Sequence, residues 1–255
     1  MLETQTVEAK TKYIPILPTQ NHLPYDEAGF RHHSQPPLPT QDDLPSCDGI
    51  PMETERHRLQ MEILINSLKP WLGERGYVSG NMFVYFSPNQ VKNEDFRGPD
   101  VFVTLGVSPV ERKSWVVWEE GQPPDIVIEL LSETTAKEDK GQKKQIYQDK
   151  LRVPEYYWFD PFNAQDFAGF ELKQGRVYEP IAPDAQNRLI SGSLGLALVR
   201  WDGVYEGVEA VWLRWKTLNG QLLPTPQELL ETEKQRAERL AQLLREQGID
   251  PDQLG

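Results

Sequence analysis

The sequence lacks the features of secreted and membrane-spanning proteins. Its single cysteine, Cys47, cannot form a disulfide within the chain, so we expect a reducing compartment and a cytoplasmic protein. No apolar run approaches the roughly 18 residues that a membrane span needs, and the start shows no secretory signal. Lysine and arginine total 27 against 39 aspartates and glutamates, a net charge of -12, which argues against broad, non-specific nucleic-acid binding. A local basic groove is still compatible with that charge.

Composition divides the chain into three parts. Residues 1–52 are rich in Pro, Gln, Asp and His without sustained periodicity, so we predict an extended N-terminal arm. Residues 53–218 carry the patterns of one folded domain, and residues 219–255 are predicted to hold a charged C-terminal helix. The potential metal ligands of the arm match no zinc spacing, and we interpret them as solvated residues: His22, His32, His33 and Cys47.

A first helix is predicted over residues 54–72, with Thr54 as its cap. Its apolar face repeats at helical spacing through Met61, Leu64, Leu68, Trp71 and Leu72. His57 falls on this face, where a lone histidine is more often a hydrogen-bonded core-edge residue than a ligand. Glu62 lies on the flank of the helix, where solvation or an ion pair is the default.

Short apolar or alternating runs predict the strands of a mixed sheet. We place them at residues 81–86, 99–105, 125–131 and 156–161, with a hairpin at 167–172 and 176–179, further strands within 194–215, and a short edge piece at 115–118. A second helix is predicted over residues 137–150. The order helix, three strands, helix, strand indicates an α/β (α+β) fold with a mixed sheet flanked by helices. The last helix, 225–247, starts with a capping box and either pairs with a partner helix or frays in solvent.

Two carboxylates accompany neighbouring strands. Glu129 lies inside the apolar run 125–131, and Asp100 lies at the start of the run before it. Burying an ionised carboxylate is costly unless it is paired or binds a metal, and oxygen ligands suit Mg²⁺. The backbone carbonyl of Leu130 could be a third ligand, and a lysine of the following helix could face a phosphate. An equally weighted alternative is that Asp100 caps a turn and Glu129 pairs with a lysine.

Several segments of the chain occur in a characteristic order: LPTQDDLP, METERHRLQ, GPDVFV, PPDIVIELLSETT and EDKGQKKQIYQDKLRVPEYYWFDP, followed by the hairpin. Through these segments, over about residues 38–200, the chain resembles the Uma-two family of restriction-endonuclease-like proteins in the PD-(D/E)XK nuclease superfamily. This resemblance implies a restriction-endonuclease-like αβββαβ core, a Mg²⁺ or Mn²⁺ cofactor, DNA as substrate and a homodimer. The order and combination of these segments are more specific than any one of them.

The resemblance also implies site residues. Asp100 matches the acid of the PD motif and Glu129 the acid of the (D/E)XK motif, but Leu131 stands where the superfamily has its lysine. Lys143, one helical turn before Tyr147, is the best replacement. A solvated Lys143, or one paired with Asp139 one turn earlier, is the simpler alternative. Further candidates of the second rank are Lys140, Lys144, Tyr147, His57 and Glu62.

Three functions are compatible with these residues. The first is a Mg²⁺-dependent endonuclease that hydrolyses DNA phosphodiesters, with the basic stretch from Lys137 to Arg152 as its DNA-facing rim. The second is a catalytically weak or inactive DNA-associated or assembly module, which the net charge of -12 and Leu131 favour. The third is a carboxylate–metal hydrolase that acts on another phosphate.

Overall fold

The structure is a computed structural model that describes residues 38–40, 43, 54–87, 96–174 and 176–250. Nearly all of the predicted N-terminal arm, including its histidines and its cysteine, lies outside the described residues. Within the described ranges, none of the helices combines the length and the apolar character that crossing a bilayer requires.

The strands form one large sheet and two small ones. Numbered along the chain, they are β1 Gly76–Ser79, β2 Val84–Tyr85, β3 Phe96–Arg97, β4 Val101–Leu105, β5 Trp115–Val116, β6 Ile126–Leu130, β7 Glu155–Phe159, β8 Phe167–Lys173, β9 Val177–Pro180, β10 Leu189–Ser191, β11 Leu196–Tyr205 and β12 Val208–Thr217. The large sheet has the order β1-β4-β6-β7-β8-β9, in which only β6 and β7 run parallel. The small sheets have the orders β10-β11-β12 and β3-β2-β5.

Helices lie before, between and after these strands. The first helix spans Glu55–Leu72 and is capped by Thr54, as predicted. A short helical turn spans Val117–Glu120, and the C-terminal helix spans Pro226–Glu246. Between β6 and β7 a helix spans residues 136–151, which we call the site helix. Without the short strands of the small sheets, the chain order is αβββαβ: the first helix, β1, β4, β6, the site helix and β7. This order confirms the predicted restriction-endonuclease-like fold.

The large sheet separates two apolar clusters. Ile126, Ile128 and Leu130 of β6 pack on the side of the first helix, whereas Val127 packs on the side of the site helix with Tyr147. Successive residues of a strand point to opposite faces, so Glu129 shares the face of Val127. The sequence therefore directs this carboxylate towards the site helix.

Some predicted elements were wrong in detail. The first core strand is β1 at Gly76–Ser79, while Val84–Tyr85, within the predicted strand 81–86, belongs to the small sheet β3-β2-β5. The edge piece at 115–118 divides into a two-residue strand and the start of a helical turn. The 194–215 region is a long hairpin that turns at Glu206 and Gly207, both with positive φ. Two-residue strands are too short to show a period of two, so their pairing depends on contacts remote in sequence.

Candidate functional site

The candidate site lies at the ends of two inner strands of the large sheet, where β4 begins and β6 ends. The antiparallel register pairs Val101 with Ile128, so it brings Asp100 opposite Glu129. The backbone N–H of Leu130 donates to Asp100 Oδ2 at 2.7 Å, and the backbone N of Asp100 lies 3.4 Å from Glu129 Oε2. The two carboxylates, which we call the carboxylate pair, thus lie side by side on one face of the sheet.

A glycine allows the chain to pass close to Asp100. A Cβ atom at Gly80 would overlap the backbone carbonyl oxygen of Asp100. The next residue, Asn81, donates its backbone N–H to the carbonyl of Pro99 at 3.0 Å. The end of β1 therefore holds the entry to β4 in place, and any larger residue at position 80 would displace the backbone of Asp100.

The site helix is not a regular α-helix. Its turns are α-helical at Ala136–Glu138 and Lys144–Ile146 but π-helical at Asp139–Lys143 and Tyr147–Leu151. Asp139, Lys143 and Tyr147 follow one another at intervals of four residues, and all three turn towards the sheet: Asp139 is 1 % exposed and Tyr147 is fully buried. Such π-helical turns are rare in proteins and are often found at functional sites.

Lys143 is the lysine that reaches the carboxylate pair. Its Nζ lies 3.6 Å from Glu129 Oε2 and 2.7 Å from Asp139 Oδ1, and its side chain is only 18 % exposed. The other two candidate lysines have different partners. Lys140 forms an ion pair with Asp166, and Lys144 Nζ lies 3.3 Å from the centroid of the Phe170 ring. Of the three, Lys143 has the geometry to act on a group bound at the carboxylate pair.

Burial dominates the electrostatics of the site. Loss of hydration raises the pKa of Glu129 well above its ordinary value, and the charges of Asp100 and Asp139 add to this, although Lys143 opposes it. Loss of hydration likewise raises the pKa of Asp100. Burial alone would lower the pKa of Lys143, but the charges of Glu129 and Asp139 outweigh it and raise that pKa. Three carboxyl groups therefore lie around one ammonium group, and burial disfavours the ionised forms of Asp100 and Glu129.

Comparison with known proteins identifies the family. A model of the Uma2 family, described as "Putative restriction endonuclease", matches residues 44–204. The chain belongs to the Uma2 family. The match spans the first helix, the carboxylate pair, the site helix and the whole large sheet, which confirms the resemblance found in the sequence. No curated protein matches the chain. The family supports a nuclease-like function for this Uma2 protein.

His57 and Glu62, both on the first helix of the Uma2 fold, have different surroundings. His57 is buried, and its Nε2 donates to the carbonyl oxygen of Leu131 at 3.0 Å, while its Nδ1 lies 2.7 Å from Thr54 Oγ1. It thus fixes the backbone just beyond Glu129. Glu62 accepts a hydrogen bond from Arg58 at 2.7 Å, one helical turn away, so its contact is a local ion pair.

The two carboxylates of the pair suit an ion that keeps several water ligands, such as Mg²⁺, better than an ion that protein side chains alone coordinate. In the ranges that the structure describes, no three side chains of His, Cys, Asp or Glu are grouped so that they could hold a metal. Structural zinc and calcium sites draw on more protein ligands than a pair of carboxylates supplies. Mg²⁺, in contrast, is commonly held by one or two carboxylates, with water and substrate completing its shell. A divalent cation bound there would favour the ionised forms of Asp100 and Glu129, which burial disfavours.

The basic rim predicted from Lys137 to Arg152 is weaker than its sequence indicates. Lys140 and Lys144 are engaged with Asp166 and an aromatic ring, and Lys143 is mostly buried. The cations of this stretch that remain exposed are Lys137, Lys150 and Arg152. A run of lysines in a helix is distributed around its axis, so only some of them can face one ligand.

Sequence reasoning missed Asp139 as a site residue. The sequence presents Asp139 as an ordinary ion-pair partner of Lys143, although its spacing of four from Lys143 and eight from Tyr147 places all three on one side of a helix. The missing information was its burial, which depends on how the helix packs on the sheet.

Proposed function

We propose that this protein is a Mg²⁺-dependent endonuclease that hydrolyses phosphodiester bonds in DNA. The observation that carries the proposal is the juxtaposition of Asp100 and Glu129, with Leu130 N–H 2.7 Å from Asp100 and Lys143 Nζ 3.6 Å from Glu129. Membership of the Uma2 family supports the same reaction class.

The proposed roles follow from charge and position. Asp100, Glu129 and the carbonyl of Leu130 would hold the ion, and when bound, Mg²⁺ would polarise the phosphodiester and favour ionisation of a water molecule. Lys143 faces the same space and would stabilise negative charge that develops on the phosphate. Tyr147 donates to Glu129 Oε1 at 2.8 Å and orients that carboxylate. His57 holds the strand end through the Leu131 carbonyl.

The test compares cleavage of plasmid and single-stranded DNA in Mg²⁺, Mn²⁺ and EDTA. We expect Asp100→Asn to abolish cleavage and Lys143→Met to lower it by about 100-fold or more. Lys140→Met and Lys144→Met should retain most of the activity, because their ammonium groups contact Asp166 and Phe170. Glu138→Gln is the matched control, since Glu138 is an exposed acid of the same helix. Metal-independent cleavage, or full activity of Asp100→Asn, would contradict the proposal.

A second function, a DNA-associated module with little or no catalysis, is favoured by two features. The net charge is -12, and the helix that should face DNA has two of its lysines engaged elsewhere. Binding of DNA without cleavage in either metal, and without change in Asp100→Asn, would support it.

A further inference from the structure

The buried carboxylate of Asp139 has no role in metal binding as proposed above. It is 1 % exposed, and its backbone is fixed on both sides: Asp139 N–H donates to the Thr135 carbonyl at 2.9 Å, and Tyr156 OH donates to the Asp139 carbonyl at 2.8 Å. A buried carboxylate is retained at a cost unless it has a partner. The partner here is Lys143, at the other end of the same π-helical turn.

The ammonium group of Lys143 is shared unequally between two carboxylates. It lies 2.7 Å from Asp139 Oδ1 but 3.6 Å from Glu129 Oε2. Coulombic attraction grows as the distance shortens, and it is strong in a site that excludes water, so Asp139 determines where the ammonium rests. Glu129 also receives the Tyr147 hydroxyl on Oε1, which leaves Oε2 as the oxygen that faces the lysine.

We propose that Asp139 is a positioning residue that holds the Lys143 ammonium beside Glu129 rather than on it, so that Glu129 Oε2 stays available to a divalent cation. This inference rests on the proposed function, because it takes Glu129 as a ligand of that cation. Without the charge of Asp139, the ammonium moves onto Glu129 and competes with the metal for it. Lys143 then blocks Glu129 Oε2 and no longer faces the phosphate.

A double-mutant cycle tests this coupling, with Mn²⁺ binding in the absence of DNA as the readout. Asp139→Asn keeps the shape of the side chain and removes its charge. We expect it to weaken Mn²⁺ binding, measured by calorimetry at constant pH, about 10-fold or more, the usual effect of losing a residue that orients a ligand. In the Lys143→Met background, where no ammonium competes, Asp139→Asn should weaken binding about twofold or less. Cleavage should follow the same pattern.

The controls separate this inference from the function on which it rests. Glu138→Gln removes a charge from the neighbouring exposed position and should leave Mn²⁺ binding unchanged. If Asp139→Asn weakens binding equally in both backgrounds, the carboxylate acts through its own charge and the positioning role is wrong. If the wild-type protein binds no Mn²⁺, the proposed function itself is wrong. If Asp139→Asn does not fold, Asp139→Glu replaces it in the cycle, because it keeps the charge but shifts it by one methylene. We then expect a smaller loss of Mn²⁺ affinity, and only in the protein that retains Lys143.

Discussion

Deleting one hydroxyl group tests how the site helix supports the carboxylate pair. Tyr147 is fully buried, its ring stacks on Tyr156 with centroids 5.3 Å apart, and its hydroxyl donates to Glu129 Oε1 at 2.8 Å. Burial, with the charge of Glu129 adding to it, raises the pKa of Tyr147 well above its ordinary value. The hydroxyl therefore keeps its proton and acts as a donor. Tyr147→Phe removes this donor and leaves the ring packing intact.

The size of the effect of Tyr147→Phe depends on whether a metal ion is bound to Glu129. Without metal, Tyr147→Phe removes one hydrogen bond to a buried carboxyl group, so stability should fall by about 1 kcal/mol. For a domain of this size, that lowers Tm by about 2–4 °C. A bound cation requires ionised Glu129, for which a hydrogen bond contributes about 1 kcal/mol more. Mn²⁺ binding should therefore weaken about fivefold.

The matched control is Tyr178→Phe. Tyr178 is also buried, and its hydroxyl donates at 2.8 Å to the backbone carbonyl of Val153 rather than to a carboxylate. Thermal unfolding should show similar losses for both variants, whereas calorimetry should show weaker Mn²⁺ binding for Tyr147→Phe alone. Equal Mn²⁺ affinities would refute the reasoning and make Tyr147 a core residue only. Loss of cleavage at unchanged Mn²⁺ affinity would instead indicate that the hydroxyl supports the chemical step rather than metal binding.

Three further predictions concern charge. Glu129→Gln should abolish Mn²⁺ binding but raise the Tm of the metal-free protein. Because burial raises the pKa of Glu129 above 4.5, this gain in Tm should grow as pH increases above 4.5. A gain in Tm that shrinks with increasing pH would contradict the prediction. Glu228→Gln should destabilise the protein by about 1–2 kcal/mol, since Arg214 is buried but the Glu228 side chain is 44 % exposed. Burial opposes the low pKa of Glu228, but Arg214 and Thr225 outweigh it, so the difference from wild type should disappear as pH falls below 4.5. Light scattering should show a homodimer at micromolar concentration, and DNA binding should weaken steeply with salt; a monomer with salt-insensitive binding would favour the non-catalytic module.

Local signals in the sequence predicted much of the fold. Thr54 caps the first helix, and Thr225 and Glu228 form the predicted capping box of the C-terminal helix. The strands at Val101–Leu105 and Ile126–Leu130 were recognisable as short apolar runs because both faces of the sheet are covered. These features depend on neighbouring residues, so the sequence displays them directly.

Other features depend on packing and could not be predicted locally. The π-helical turns at Asp139–Lys143 and Tyr147–Leu151 have no composition of their own, and they accompany the seating of Tyr147 and Leu151 against the sheet. The choice among three lysines of one helix depends on the rotation of that helix about its axis. Only the packed structure brings Lys143 to Glu129 and directs Lys144 to Phe170.

In the proposed mechanism the cation comes from the site helix, and the burial of Leu131 favours that arrangement. Leu131 is fully buried, its backbone N–H donates to the Phe159 carbonyl at 2.8 Å, and its own carbonyl accepts from His57. A lysine at this position would begin in a packed site from which water is excluded, where burying an ammonium group is costly. With Lys143 on the site helix, however, the distance between cation and carboxylate depends on helix–sheet packing rather than on one rigid strand. A displacement of about 1 Å in a catalytic group can cost about 100-fold in rate, so the buried contacts of the site helix are part of what the proposed chemistry requires.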